Sequence, residues 1–260
     1  MCRMPDLRSR AIARLAGYID PTLVAMSRDG NSKHPRTVFG RRKGHKLTVR
    51  HAGLMQTLLP QLALDLSIRP TDLSSLFPCP VEDVWLEIGF GGGEHMIDQS
   101  QAHPRVGILG VEPFVNGMAK ALAAIDAHAL SNIRLHHGDA MELLDWLPRA
   151  CLGRVDLLYP DPWPKRRHWK RRFMQDEKVA AIASALRPDG EFRFATDVAD
   201  YADWTLKHML RSRDFEWTAA RADDWRRPWP GFAGTRYDGK AIREGRMPYY
   251  LTFRRTSFCG

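Results

Sequence analysis

The stretch Y-P-D-P-W-P-K-R-R-H-W-K-R-R-F, residues 159–173, gathers residue types that can do chemistry together. Asp161 is a carboxylate set between two prolines at the end of an apolar run. Behind it come Lys165, Arg166, Arg167, Lys170, Arg171 and Arg172, interleaved with Trp163, His168 and Trp169. A carboxylate can accept hydrogen bonds from a neutral base edge, guanidinium and ammonium groups hold phosphates, and aromatic rings stack on bases. The combination points to chemistry on a nucleic acid, with the basic strip delivering a nucleotide to Asp161. For Trp163 and Trp169 the competing reading is that they anchor the loop to the core.

A second constellation lies upstream in L-E-I-G-F-G-G-G-E-H, residues 86–95. Gly89, Gly91 and Gly93 fall where an apolar run gives way to a helical pattern, a place where the backbone must turn tightly and let a ligand approach. The dinucleotide fingerprint G-x-G-x-x-G does not fit, because Glu94 stands where its third glycine belongs. Glu87 would repel a pyrophosphate but favours the cationic end of S-adenosylmethionine. Glu112 closes the next apolar run and can accept both hydroxyls of a ribose. Asp139, in H-G-D-A, can meet an adenine amino group or cap a helix. Asp197 follows a later run and can bind substrate or cap the helix after it.

These side chains need elements to hold them. Apolar runs at 84–88, 106–111, 133–136, 155–159 and 191–195 read as strands, with a further candidate at 249–253. Helical segments at 94–101, 114–125, 140–147 and 174–186 separate them, and a turn at Pro188-Asp189-Gly190 precedes the fifth strand. Strands alternating with helices of this length predict a Rossmann-like α/β fold, a mostly parallel twisted sheet with helices on both faces. The four carboxylates Glu87, Glu112, Asp139 and Asp161 then share the carboxyl edge of the sheet, where such folds bind ligands. Residues 54–66 have helical spacing. Residues 1–70 read as a basic N-terminal extension, partly flexible, and 71–260 as the catalytic domain.

Composition narrows the class. The 260 residues include 44% apolar types and eight tryptophans, enough for one good core. The net charge is +9, and residues 31–50 contain Lys33, Arg36, Arg41, Arg42, Lys43, Lys46 and Arg50 with no acidic residue. Such clustering is expected of a phosphate-binding surface. Cys2, Cys79, Cys151 and Cys259 form no C-x-x-C pair and the ten histidines show no ligand spacing, so no metal is expected and the thiols read as reduced, in the cytoplasm. No apolar run approaches the length of a membrane helix.

The chain resembles the bacterial tRNA (guanine-N7-)-methyltransferases over residues 36–255. The resemblance rests on R-T-V-F-G-R-R-K-G at 36–44, L-E-I-G-F-G-G-G at 86–93, P-D-P-W-P-K-R-R-H-W-K-R-R at 160–172, A-T-D at 195–197 and T-R-Y-D at 235–238. It implies a class I fold using S-adenosylmethionine, with tRNA as partner and N7 of the guanosine at position 46 of the variable loop as target. Glu87, Glu112, Asp139 and Asp161 match the cofactor-site acids, with Asp161 also catalytic. Lys165, Asp197, Thr235, Arg236, Tyr237 and Asp238 match substrate positions, and Arg167, His168, Trp169, Lys170, Arg171 and Arg172 match the RNA-contacting strip. The family's T-K-F-E is T-R-Y-D here, which changes hydrogen-bond geometry at two positions. Competing readings are a methyltransferase on another RNA target and a non-catalytic RNA-binding protein of the same fold.

Overall fold

The computed structural model describes Gly40 and residues 42–257. The extension before Gly40, with Lys33 and Arg36, as well as Arg41, Cys2 and Cys259, lies outside the described residues. Seven strands form one sheet: β1 (Asp83–Ile88), β2 (Val106–Val111), β3 (Ile133–His136), β4 (Leu152–Leu158), β5 (Leu186–Thr196), β6 (Phe215–Trp217) and β7 (Tyr249–Arg255). Their order is β3-β2-β1-β4-β5-β7-β6. The first five are mutually parallel, and β7 runs antiparallel to both β5 and β6. β1 has β2 on one side and β4 on the other, so the winding direction reverses between β1 and β4. Open sheets of this kind bind ligands beyond that reversal.

The helices are α1 (Val49–Thr57), α2 (Leu59–Leu62), α3 (Glu94–Ala102), α4 (Val115–His128), α5 (Ala140–Trp146), α6 (Asp176–Ala185), α7 (Ala199–Arg211), α8 (Asp223–Arg226) and α9 (Arg236–Arg243). Alternate strand residues feed two apolar clusters, as the pleat requires. Leu109 and Val111 join Leu86 and Ile88 and the buried faces of α5, α6 and α7. Ile108 turns the other way, joining Met96 of α3 and Met118, Leu122 and Ile125 of α4.

Three local features differ from the sequence reading. The helical pattern at 54–66 is two helices, because Pro60 at the start of α2 supplies no N–H to continue α1. These helices lie within the segment expected as an extension, yet Leu62 is buried in the α3–α4 cluster and the Leu64 amide donates to the Leu135 carbonyl of β3. Pro188-Asp189-Gly190 lies inside β5, not before it: the register shifts there, and Asp189 adopts φ 63°. β6 is three residues long, too short to carry an alternating signal.

Candidate active site

β1 delivers Glu87 one residue from its end, and the chain then turns through Gly89, Gly91 and Gly93 at φ 69°, 57° and 82°. A side chain is strained in that region, which is why three glycines stand there. The turn is clamped from outside by α4: a Cβ on Gly117 would lie 2.3 Å from the Gly91 carbonyl oxygen. The backbone is therefore pressed close and its inner surface left bare.

Glu87 is buried and bonds to Nδ1 of His95, itself buried in the first turn of α3, at 2.8 Å. Burial raises the Glu87 carboxyl above its ordinary value, with His95 pulling the other way. Burial pulls the imidazole down, but Glu87, by charge and hydrogen bond, carries it above its ordinary value. Glu112, just past β2, is also buried; it accepts from the amides of Gly91 at 2.7 Å and Phe114 at 2.8 Å. One oxygen meets each amide, so each keeps a lone pair for a hydroxyl. Burial again holds this carboxyl above the usual range, against both amides and the Arg236 charge. Asp139 caps α5 in a reciprocal box with Glu142, accepting from the Met141 amide at 2.9 Å. The helix-capping reading of Asp139 is realised.

Asp161 follows β4 in a turn whose flanks are conformationally unusual: Tyr159 and Trp163 have φ 49° and 41°. Strained backbone of this kind is stored at sites where geometry matters. Asp161 faces solvent, yet the surrounding protein raises its carboxyl above the ordinary value. Gly40 packs against it, a Cβ there falling 3.3 Å from Asp161 Oδ2. Glu87, Glu112 and Asp161 thus share one edge of the sheet, all with raised affinity for a proton. Such a set favours a cation. The carboxylates, the bare glycine turn and the hydroxyl-accepting Glu112 fit S-adenosylmethionine, with its positive charge and ribose.

The basic strip divides in two. Lys165, Arg166, Arg167 and Lys170 are exposed, on or next to a 3-10 turn at Arg166–Arg171. His168 lies beside Arg167 and edge-on to Trp163, its pKa lowered by burial and by neighbouring cations. Arg171 sits over the Trp163 ring at 4.9 Å. Arg172 corrects the expectation of an RNA contact. It is 1% exposed, donates to the Pro162 carbonyl at 2.8 Å, pairs with Asp200 and lies over Trp169, Tyr201 and Trp204. Trp169 meets Trp204 edge-on and is half-buried, so it anchors the loop.

The T-R-Y-D segment also turns inward in part. Thr235 caps α9 by accepting from the Asp238 amide at 3.2 Å. Asp238 is buried, and its Oδ1 accepts from the hydroxyls of Tyr159 and, at 2.5 Å, Tyr250. Its role is to tie α9 to the Asp161 turn. Tyr237 is 45% exposed and stacks on Tyr159 at 6.1 Å. Arg236 reaches the glycine turn, with Nε 4.0 Å from Glu94 and its guanidinium over Gly91. Asp197 pairs with Arg246 at 2.7 Å and does not cap α7. Tyr159, His95 and Arg246 were missed by the sequence reading. His95, closing the G-G-G-E-H run, and Tyr159, opening the Y-P-D-P-W run, had a visible signal; Arg246 had none. Among the described residues, no group of three or more His, Cys, Asp or Glu could hold a metal, and no helix is long and apolar enough to cross a membrane.

A family model described as putative methyltransferase matches residues 82–251. The tRNA (guanine-N(7)-)-methyltransferase of Rhodopseudomonas palustris is 56% identical over 239 residues, 92% of this chain and 96% of that protein. The chain belongs to the tRNA (guanine-N(7)-)-methyltransferase family. The family member of Bradyrhizobium diazoefficiens is 57% identical over 222 residues, 85% of this chain and 94% of that one. The crystal structure of the 16S rRNA methyltransferase KamB superposes with a TM-score of 0.51 at 16% identity, covering 68% of this chain and 89% of that chain, which is a likeness of fold. The likeness of fold agrees with the mostly parallel sheet described above.

Proposed function

We propose that this protein is a cytoplasmic enzyme that transfers a methyl group from S-adenosylmethionine to N7 of a guanosine in tRNA, the one at position 46 of the variable loop by resemblance. The observation that carries the reading is the place of Asp161. It lies at the sheet's winding reversal, on the same edge as the Glu87 glycine turn, and the exposed cations of the strip begin at Lys165.

S-adenosylmethionine would be held by Glu87, Glu112, Asp139 and the glycine turn and would supply a methyl group on a sulfonium; guanine N7 carries an in-plane lone pair and no proton to remove first. The work of the chain is then alignment and charge. Asp161 accepts hydrogen bonds from guanine N1–H and the exocyclic amine, contacts that adenine cannot reproduce. Its negative charge also stabilises the cationic base as it forms. Because a base paired in a helix hides that edge, the nucleotide must be splayed out, with Tyr237 and Trp163 offering ring surface beside it. Lys165, Arg167 and Lys170 hold the flanking phosphates, and the basic segment through Lys46 adds to them.

The test is methyl transfer from labelled S-adenosylmethionine to unmodified tRNA, followed by nucleoside analysis, with Asp161→Ala alongside. Wild type should yield N7-methylguanosine, and the variant should be slower by about 100-fold or more. Label in another nucleoside would remove the substrate claim. A variant as fast as wild type would remove Asp161 from the chemistry.

A further inference from the structure

Residues 42–46 run across the first turn of α4, held there through the backbone. The Gly44 amide donates to Asn116 Oδ1 at 2.7 Å, and Asn116 Nδ2 donates to the His45 carbonyl at 2.8 Å. The Val115 amide donates to the Arg42 carbonyl at 3.0 Å. One carboxamide thus meets a donor and an acceptor of the adjoining chain, much as a paired strand would. The fit requires glycine at 44: a Cβ would fall 2.7 Å from Asn116 Oδ1 and 3.1 Å from Phe114 Cζ. Gly44, His45, Asn116, Gly117 and Arg236 line one cavity of about 200 Å³. Gly117 and Arg236 are the residues that flank the Gly91 turn, and a Cβ on Gly40, just upstream, would fall 3.3 Å from Asp161 Oδ2. The segment therefore bridges the cofactor edge and the Asp161 turn, with Arg42, Lys43 and Lys46 exposed along it.

We propose that Asn116 is a positioning residue for the RNA. It fastens residues 42–46 as a basic strap across the mouth of the site, so that Arg42, Lys43 and Lys46 meet the phosphates beside the target nucleotide. The proposal rests on the tRNA reading above and adds to it how this segment is mounted. It also explains why a highly charged stretch carries glycines at 40 and 44: the backbone must lie flat against Asp161 on one side and Asn116 on the other.

The test uses the full chain and the variants Asn116→Ala and Asn116→Asp, with Gly44→Ala attacking the junction from the strap side. Hydrogen exchange on the RNA-free protein reads the fastening directly. In Asn116→Ala the Gly44 and Val115 amides should exchange at least about tenfold faster, each having lost a hydrogen-bonded partner or its support. The KM for tRNA should rise by about tenfold while kcat at saturating tRNA changes far less, the pattern of lost uniform binding. The log–log salt dependence of tRNA binding should become shallower by about two to three, since three cations lose their fixed places. Asn116→Asp keeps the acceptor for Gly44 and should fall between Asn116→Ala and wild type. Unchanged exchange in Asn116→Ala would overturn the fastening. Faster exchange with wild-type KM and salt dependence would overturn the RNA role. Wild-type protein that methylated no tRNA would remove the functional reading and with it the strap's purpose, while the exchange result would still decide the fastening.

Discussion

Replacing Arg172 with alanine should destabilise the protein and leave its RNA-binding surface intact. Within one run of basic residues, this arginine alone is both 1% exposed and surrounded by three aromatic rings, at 4.9, 5.0 and 5.2 Å. Removing it leaves the Pro162 carbonyl without its donor, at a cost of about 1–3 kcal/mol. The cation–π contacts add about 0.5–1 kcal/mol each. The ion pair with Asp200 adds little, because Asp200 is half exposed and water will solvate it. The sum is about 2.5–6 kcal/mol, which for a chain of this size lowers Tm by roughly 10 °C. Arg172→Lys should recover little, since an ammonium cannot span Pro162 and Asp200 while lying flat on the rings. Arg167→Ala and Lys170→Ala should stay within about 0.5 kcal/mol of wild type, both side chains being exposed. Thermal unfolding read beside tRNA binding over a salt series separates the two behaviours. An Arg172→Ala protein that melts with wild type but binds tRNA more weakly, its salt slope lower by about one, would refute the assignment.

Gly117→Ala should force α4 away from the Gly91 carbonyl, costing about 1–3 kcal/mol; calorimetry should show S-adenosylmethionine binding weakened by at least about tenfold, and unaltered binding would sink the clamp. The raised Asp161 carboxyl has a definite sign: its contribution to stability is present below the unfolded-state value and lost as pH rises through the folded value, so the ionised form burdens the fold near neutrality. Asp161→Asn should therefore be more stable than wild type at pH ~7, with the difference vanishing below about pH 3.9, and denaturant midpoints at the two pH values would expose the opposite sign. Tyr250→Phe should cost about 1 kcal/mol, but combined with Tyr159→Phe it strands the buried Asp238 carboxylate, so the double variant should lose more than the sum. Strict additivity in a denaturation cycle would count against that shared acceptor.

Much of the carboxylate-bearing edge of the sheet was legible in the sequence because each piece is local. The glycine turn follows its own strand, and Glu87, Glu112 and Asp161 fall at or just past strand ends that apolar runs mark. What stayed hidden depends on partners far along the chain. Arg172 differs from its neighbours only because Asp200, Tyr201 and Trp204 arrive from α7, and six consecutive residues of a 3-10 turn point in different directions. Asp238 looked like a substrate contact until Tyr159 and Tyr250 closed on it from two strands. That Arg236 lies against the glycine turn was not legible either, because its reach is set by how α9 docks through Tyr237 on Tyr159. The bulge in β5 was read as a turn because its Pro-Asp-Gly chemistry is the same in both settings.

The reversed direction of β7 carries one more implication. Every parallel strand gives the ligand edge whatever comes after it, but β7 gives that edge whatever comes before it. Tyr249, its first residue, pairs with Thr196 at the close of β5, whereas Arg254 pairs with Glu191 further back along that strand. The route from β6 to β7, residues 218–248, is thus a return path that ends where the methyl group would be handed over, and it brings Arg236, Tyr237, Asp238 and Arg246 with it. Lengthening that path would change what the enzyme recognises. Lengthening the turn at Ser212–Asp214, which enters β6 at the opposite edge, would leave recognition alone.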